Sequence, residues 1–196
     1  MPTPLTHTEI SEIIADSSRT IGGLSDQLNA VAAAADLLVS VLMSGGTVLT
    51  AGNGGSAAEA LHFSEELVGR YRGDRRSLPA VSLVADSTAL TCIGNDYGYD
   101  AVFSRQVEGL CKPGDLLILF STSGNAMNLS NALDAAQAAG GRVLTFLGRD
   151  GGRIAGAADV EVIVKHDDTA RIQEAHQVLL HLMLESVERA FPPEAV

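Results

Sequence analysis

Five short runs rich in valine, isoleucine and leucine, "TVLTAG" (47–52), "AVSLVAD" (80–86), "LLILFS" (116–121), "RVLTFLG" (142–148) and "VEVIVK" (160–165), alternate along the chain with segments of helical apolar spacing. Runs that are apolar on both faces suit strands of a parallel sheet covered by helices on each side. The intervening segments, near 56–70, 88–93, 101–110, 124–139, 153–157 and 168–190, supply those helices. The pattern predicts an α/β chain built as a three-layer sandwich, with its ligand site beyond the C-terminal ends of the strands.

Upstream, apolar residues recur at helical intervals from Thr8 to Met43 and are interrupted near Gly22-Gly23, which predicts two helices. The chain thus divides into an N-terminal helical segment, 1–44, and a main domain, 45–196, folded as one structural unit; 196 residues suffice for one substantial core. A net charge of -11 and a pI near 4.7 argue against nucleic acid or anionic lipid as a partner, because both need a basic footprint. A small molecule or a second copy of the chain is expected instead. Cys92 and Cys111 lie in or beside apolar stretches without metal-ligand spacing, so both are expected as buried free thiols in a reducing cytoplasm. The start "MPTPLTHTEISEII" has no basic region followed by an apolar one, and Asp36 interrupts "VAAAADLLVSVLM"; neither a signal peptide nor a membrane span is expected.

Two strand ends share one grammar. The first leaves through Gly52-Asn53-Gly54-Gly55-Ser56 and the second through Ser121-Thr122-Ser123-Gly124-Asn125, each directly before a helical segment. Unpaired N–H groups at a helix start favour an anion, glycines let the backbone approach it, and hydroxyls add donors, with Ser56 placed to cap its helix or donate. Side by side, the loops would surround a phosphate; taken singly, each is also an ordinary turn or cap. Gly52-x-Gly54-x-x-Ala57 satisfies a relaxed dinucleotide fingerprint, but the acidic residue expected about 20 positions on is missing from a strand end. The second run ends at Asp86, and Asp74 sits in the polar "RGDRRS".

His62 and Glu66 stand four apart and so leave one face of a helix, where they could bind a metal or move a proton, or form a plain surface hydrogen bond. The last helical segment carries Arg171, Gln173 and His181, the latter flanked by Leu179, Leu180, Leu182 and Met183 in the manner of a core or interface histidine.

"AGNGGSAAEALHFSEELVGRY", "IGNDYGYD", "FSRQVEGL", "GDLLILFSTSGN" and "RIQEAHQVLLH", in register from about 45 to 190, resemble the sedoheptulose 7-phosphate (phosphoheptose) isomerases of the sugar isomerase, or SIS, fold. The resemblance implies a five-stranded parallel sheet between helices, a cytoplasmic homotetramer, and interconversion of D-sedoheptulose 7-phosphate and D-glycero-D-manno-heptose 7-phosphate for bacterial heptose and lipopolysaccharide synthesis. It further implies an acid/base pair at Glu66 and His181 and a zinc site at His62, Glu66, Gln173 and His181. Phosphate and sugar contacts are implied at Asn53, Gly54, Gly55, Ser56, Arg70, Asn95, Asp96, Ser121, Thr122, Ser123, Asn125 and Gln173. Relatives commonly read STSGNS where this chain has Ala126. A related SIS group binds a replication-initiator protein and lacks the Glu and His found here at 66 and 181, so a non-catalytic sugar-phosphate or initiator-binding module is the alternative.

Gln173 and His181, eight positions apart, stand roughly 12 Å apart along one helix. That separation and the apolar surroundings of His181 lead to the expectation that active sites lie at subunit interfaces, with Glu66 and His181 of one site drawn from different chains.

Overall fold

A computed structural model describes residues 4–192; the outer ends of the two predicted segments, 1–3 and 193–196, lie outside the described residues. Helix α1 (His7–Gly22) starts at a reciprocal cap in which Thr6 Oγ1 accepts from the Glu9 N–H and the Glu9 carboxylate accepts from the Thr6 N–H at 2.7 Å. That bond, with a second from the Thr6 hydroxyl, holds the exposed Glu9 carboxyl below its ordinary range. A 3₁₀ turn at Gly23–Gln27 separates α1 from α2 (Leu28–Met43). By length and composition His7–Met43 is apolar enough to cross a membrane; here the turn breaks it, and α2 buries Leu37, Leu38, Val41 and Leu42 in the core.

The rest alternates strand and helix: β1 (Val48–Gly52), α3 (Gly55–Val68), β2 (Ala80–Ser82), α4 (Ser87–Tyr97), α5 (Ser104–Leu110), β3 (Leu116–Ser121), α6 (Met127–Ala138), β4 (Arg142–Gly148), β5 (Val160–Val164) and α7 (Thr169–Ala190). The five strands pair in parallel in the order β2-β1-β3-β4-β5. Period-two alternation sends Leu116, Ile118 and Phe120 to a core shared with α2, α3 and α7, and Leu117 and Leu119 to a second core with α5 and α6. This is the expected three-layer sandwich.

The chain leaves β1 in one direction to reach β2 and later returns on its other side to form β3, so the order reverses between β1 and β3. In open α/β sheets such a switch point opens a crevice at the strand C-termini. Gly52 pairs with Phe120 across it, so the two glycine- and hydroxyl-rich loops emerge side by side.

Several boundaries differ from expectation. β2 stops at Ser82 because Ala85 N–H donates back to the Ser82 carbonyl in a turn. The expected helix at 153–157 is a 3₁₀ turn, Gly152–Ile154. The expected helix at 124–139 begins only at Met127. Cys111 is buried, and burial together with Asp115 pushes its thiol up, whereas Cys92 is exposed on α4, which packs Leu90 and Ile93 against the second core.

Candidate active site

The first loop is shaped by glycine. Gly54 caps α3 at φ 60°, ψ -121°, a conformation open to glycine, and a Cβ on Gly52 would overlap the Ser56 carbonyl. Ser56 makes no cap bond; it sits buried inside the first turn of α3. Asn53 is fixed by a reciprocal amide pair with buried Asn128 of α6, its Nδ2 donating at 3.0 Å and its Oδ1 accepting at 2.9 Å, and the Tyr99 hydroxyl donates to the same oxygen at 2.9 Å. Asn128 and Tyr99 thereby tie the two loops and the α4–α5 connection together.

The second loop spends hydroxyls on its own shape. Ser121 Oγ accepts from Gly124 N–H at 3.0 Å, and Ser123 Oγ from Asn125 N–H at 3.3 Å. Asn125 Oδ1 accepts from Arg153 N–H, anchoring the loop to the segment after β4. Thr122 is half-buried. Ala126, extended at φ -72°, ψ 124°, is the cap residue of α6 and offers no side-chain bond.

Beyond these loops α3 packs against α7. His62 Nε2 lies 3.3 Å from Glu66 Oε1, and its Nδ1 lies 3.1 Å from Gln177 Nε2, which donates to it. The His181 ring meets the His62 ring edge-on at 5.5 Å and stacks on Tyr71 at 5.8 Å. His62, Glu66 and His181 of one chain thus lie in one cluster. Gln173 stands two turns away, against Gly55, where any Cβ would overlap its amide. An open cavity of about 560 Å³ between the helices is walled by Gly55, Glu59, His62, Gln173, Glu174 and Gln177 among others. Arg70 is exposed; Asn95 and Asp96 are exposed at the end of α4 and bonded to each other at 2.7 Å.

Donor atoms of His62, Glu65 and Glu66 lie within 4.8 Å of one another, a nitrogen-and-oxygen set suited to zinc. Glu65 was not singled out in the sequence, although its position beside Glu66 is its signal; Gln177, one turn before His181, was equally visible by spacing.

The SIS domain family profile matches residues 14–148. The phosphoheptose isomerase of Yersinia enterocolitica is 46% identical over 165 residues, covering 84% of this chain and 85% of that protein. That of Geobacter sulfurreducens is 49% identical over 163 residues, covering 83% and 86%. The chain belongs to the SIS-domain phosphoheptose isomerase family. Solved structures of phosphoheptose isomerases agree: the Neisseria gonorrhoeae enzyme superposes with a TM-score of 0.87 at 42% identity over 92% of this chain and 97% of its own. The Francisella tularensis enzyme does so at 0.88 and 30% identity over 95% and 100%.

Proposed function

We propose that the chain catalyses the aldose–ketose isomerisation of D-sedoheptulose 7-phosphate to D-glycero-D-manno-heptose 7-phosphate in bacterial heptose biosynthesis. One observation carries this reading: His62 and Glu66, on the helix that starts at the first switch-point loop, meet His181 of α7 in a chain with phosphoheptose isomerase relatives at 46–49% identity.

The reaction moves a proton between C1 and C2. Backbone N–H groups at the starts of α3 and α6, with Ser56, Ser121, Thr122 and Ser123, hold the phosphate, and Asn53, Arg70, Asn95, Asp96, Asn125 and Gln173 contact sugar and phosphate oxygens. Glu66 takes a proton from C1 of the ketose while His181 gives one to the C2 oxygen, leaving an enediol. Return of the Glu66 proton to C2, with loss of the O1 proton to His181, gives the aldose and restores both groups. His62, held by Gln177 and Glu66, orients the base. Zinc would be held by His62, Glu66, Gln173 and His181, with Glu65 in reach of the first two, and it would supply Lewis-acid polarisation of the carbonyl. Chelation is expected to lower turnover and zinc to restore it; full turnover in protein shown metal-free by elemental analysis contradicts the zinc assignment.

We place the enzyme in the cytoplasm, as a homotetramer with its sites at subunit interfaces. Exposed Leu61 and Leu182 flank His62 and His181, and α1 exposes Ile10, Ile13 and Ile14 while burying none of its residues, so apolar surface is available for a second copy beside the site. A monomer in sedimentation contradicts this assembly. The primary test is turnover of sedoheptulose 7-phosphate: aldose product is expected, and binding without product would point to a non-catalytic SIS module, whether for a sugar phosphate or for an initiator protein.

A further inference from the structure

At the cavity wall, where Glu59 lines it, lies a buried pair that the proton transfer does not use. His176, on α7, is fully buried between Phe120 and Phe146, and its Nε2 stands 3.1 Å from the Leu147 carbonyl at the end of β4. Its Nδ1 faces Glu59 Oε2 of α3 at 3.6 Å. Glu59 is 5% exposed, and Nδ1 and both Glu59 oxygens have no hydrogen-bond partner among the described residues. A carbonyl only accepts, so Nε2 carries a proton. A neutral ring would then turn the Nδ1 lone pair toward a buried carboxylate, which is repulsive; the stable arrangement holds one further proton, on Nδ1 or on Glu59. The couple as a whole is neutral and bridges α3, α7 and β4.

Its place along the helices gives it consequence. Glu59 precedes His62 by one turn on α3, and His176 follows Gln173 by one turn and precedes His181 on α7. We propose that the buried Glu59–His176 couple is a positioning device for the isomerase reaction, fixing α3 against α7 so that His62 and Glu66 stand in register with Gln173 and His181. This rests on the isomerase reading above.

The experiment compares Glu59→Gln, Glu59→Leu, His176→Leu and the double Glu59→Leu/His176→Leu, reading thermal midpoint, kcat and KM for each in the full-length protein. Glu59→Gln keeps the contact, because its amide can donate to a neutral Nδ1, and is expected to keep most of kcat. His176→Leu strands a buried carboxylate, and its midpoint is expected to fall by roughly 10 °C. The double variant removes both polar partners and is expected to recover most of that loss while kcat stays down roughly 10- to 100-fold with KM little changed, the signature of misplaced groups rather than of an unstable fold. A double variant with wild-type kcat, or a Glu59→Gln variant as slow as Glu59→Leu, overturns the positioning role. Wild-type turnover is measured first: its absence overturns the isomerase reading and the positioning role with it, whereas normal wild-type turnover with unaltered variants overturns the positioning role alone.

Discussion

The two switch-point loops follow adjacent strands and read alike, yet they are held in opposite ways. The loop after β1 is shaped by what its glycines lack: Gly52 and Gly54 let α3 begin at once, and no side chain caps it. The loop after β3 is shaped by what its side chains do: Ser121, Ser123 and Asn125 take up backbone N–H groups, and the helix waits until Met127. Glycine thus leaves N–H groups free for a ligand, whereas hydroxyls spend part of their capacity on the turn itself. Ala126 partly reverses this, because a cap residue without a side-chain acceptor leaves the first N–H groups of α6 open as well.

The sharpest way to break the comparison is Gly124→Ala. Gly124 lies at φ +61°, and a Cβ there would overlap the Gly151 carbonyl, a backbone atom that cannot swing aside. We expect a loss of more than about 3 kcal/mol of stability, read as a fallen denaturant midpoint or insoluble protein. Of comparable size, but confined to chemistry, is Glu66→Gln, which keeps the fold and sugar-phosphate binding while kcat falls about 10²- to 10⁴-fold; near-normal turnover would remove Glu66 from the base role. Gly55→Ala is milder for stability, since the obstacle is the end of the Gln173 side chain. It should leave the thermal midpoint nearly unchanged and raise KM, by displacing Gln173 from the cavity wall. Smallest is Ala126→Ser, which should add about 1 kcal/mol through a new cap on α6. If the open N–H groups of α6 serve the phosphate through a hydroxyl there as well, KM falls with it; an unchanged KM limits the effect to capping.

How far the sequence revealed this molecule depended on how local each signal was. Strands β1, β3 and β4 were legible because Leu49, Ile118 and Phe146 and their neighbours are buried on both faces of the sheet. β2 was overestimated because it lies at an edge, with Val81 41% exposed, and a turn ends it early. The late start of α6 was hidden by the competition of Ser123 and Asn125 for the backbone, which composition alone does not settle. At the site, His62 and Glu66 could be paired by helical spacing, while His181 was tied to them in the sequence by the family resemblance alone and meets His62 through the packing of α3 on α7. Asn128, Tyr99 and the Glu59–His176 couple were out of reach for the same reason: each acquires its partner across the sheet order or between helices far apart in the chain.

Catalysis turns on proton transfer through Glu66, and one measurement tests this most directly: conversion of sedoheptulose 7-phosphate in heavy water, with the deuterium content at C2 of the aldose followed by NMR. A base that takes the C1 proton and exchanges it with solvent before returning it predicts deuterium at C2 in the wild-type product, and loss of both product and label in Glu66→Gln. Aldose formed by Glu66→Gln at the wild-type rate, or labelled at C2 as in the wild type, would contradict it.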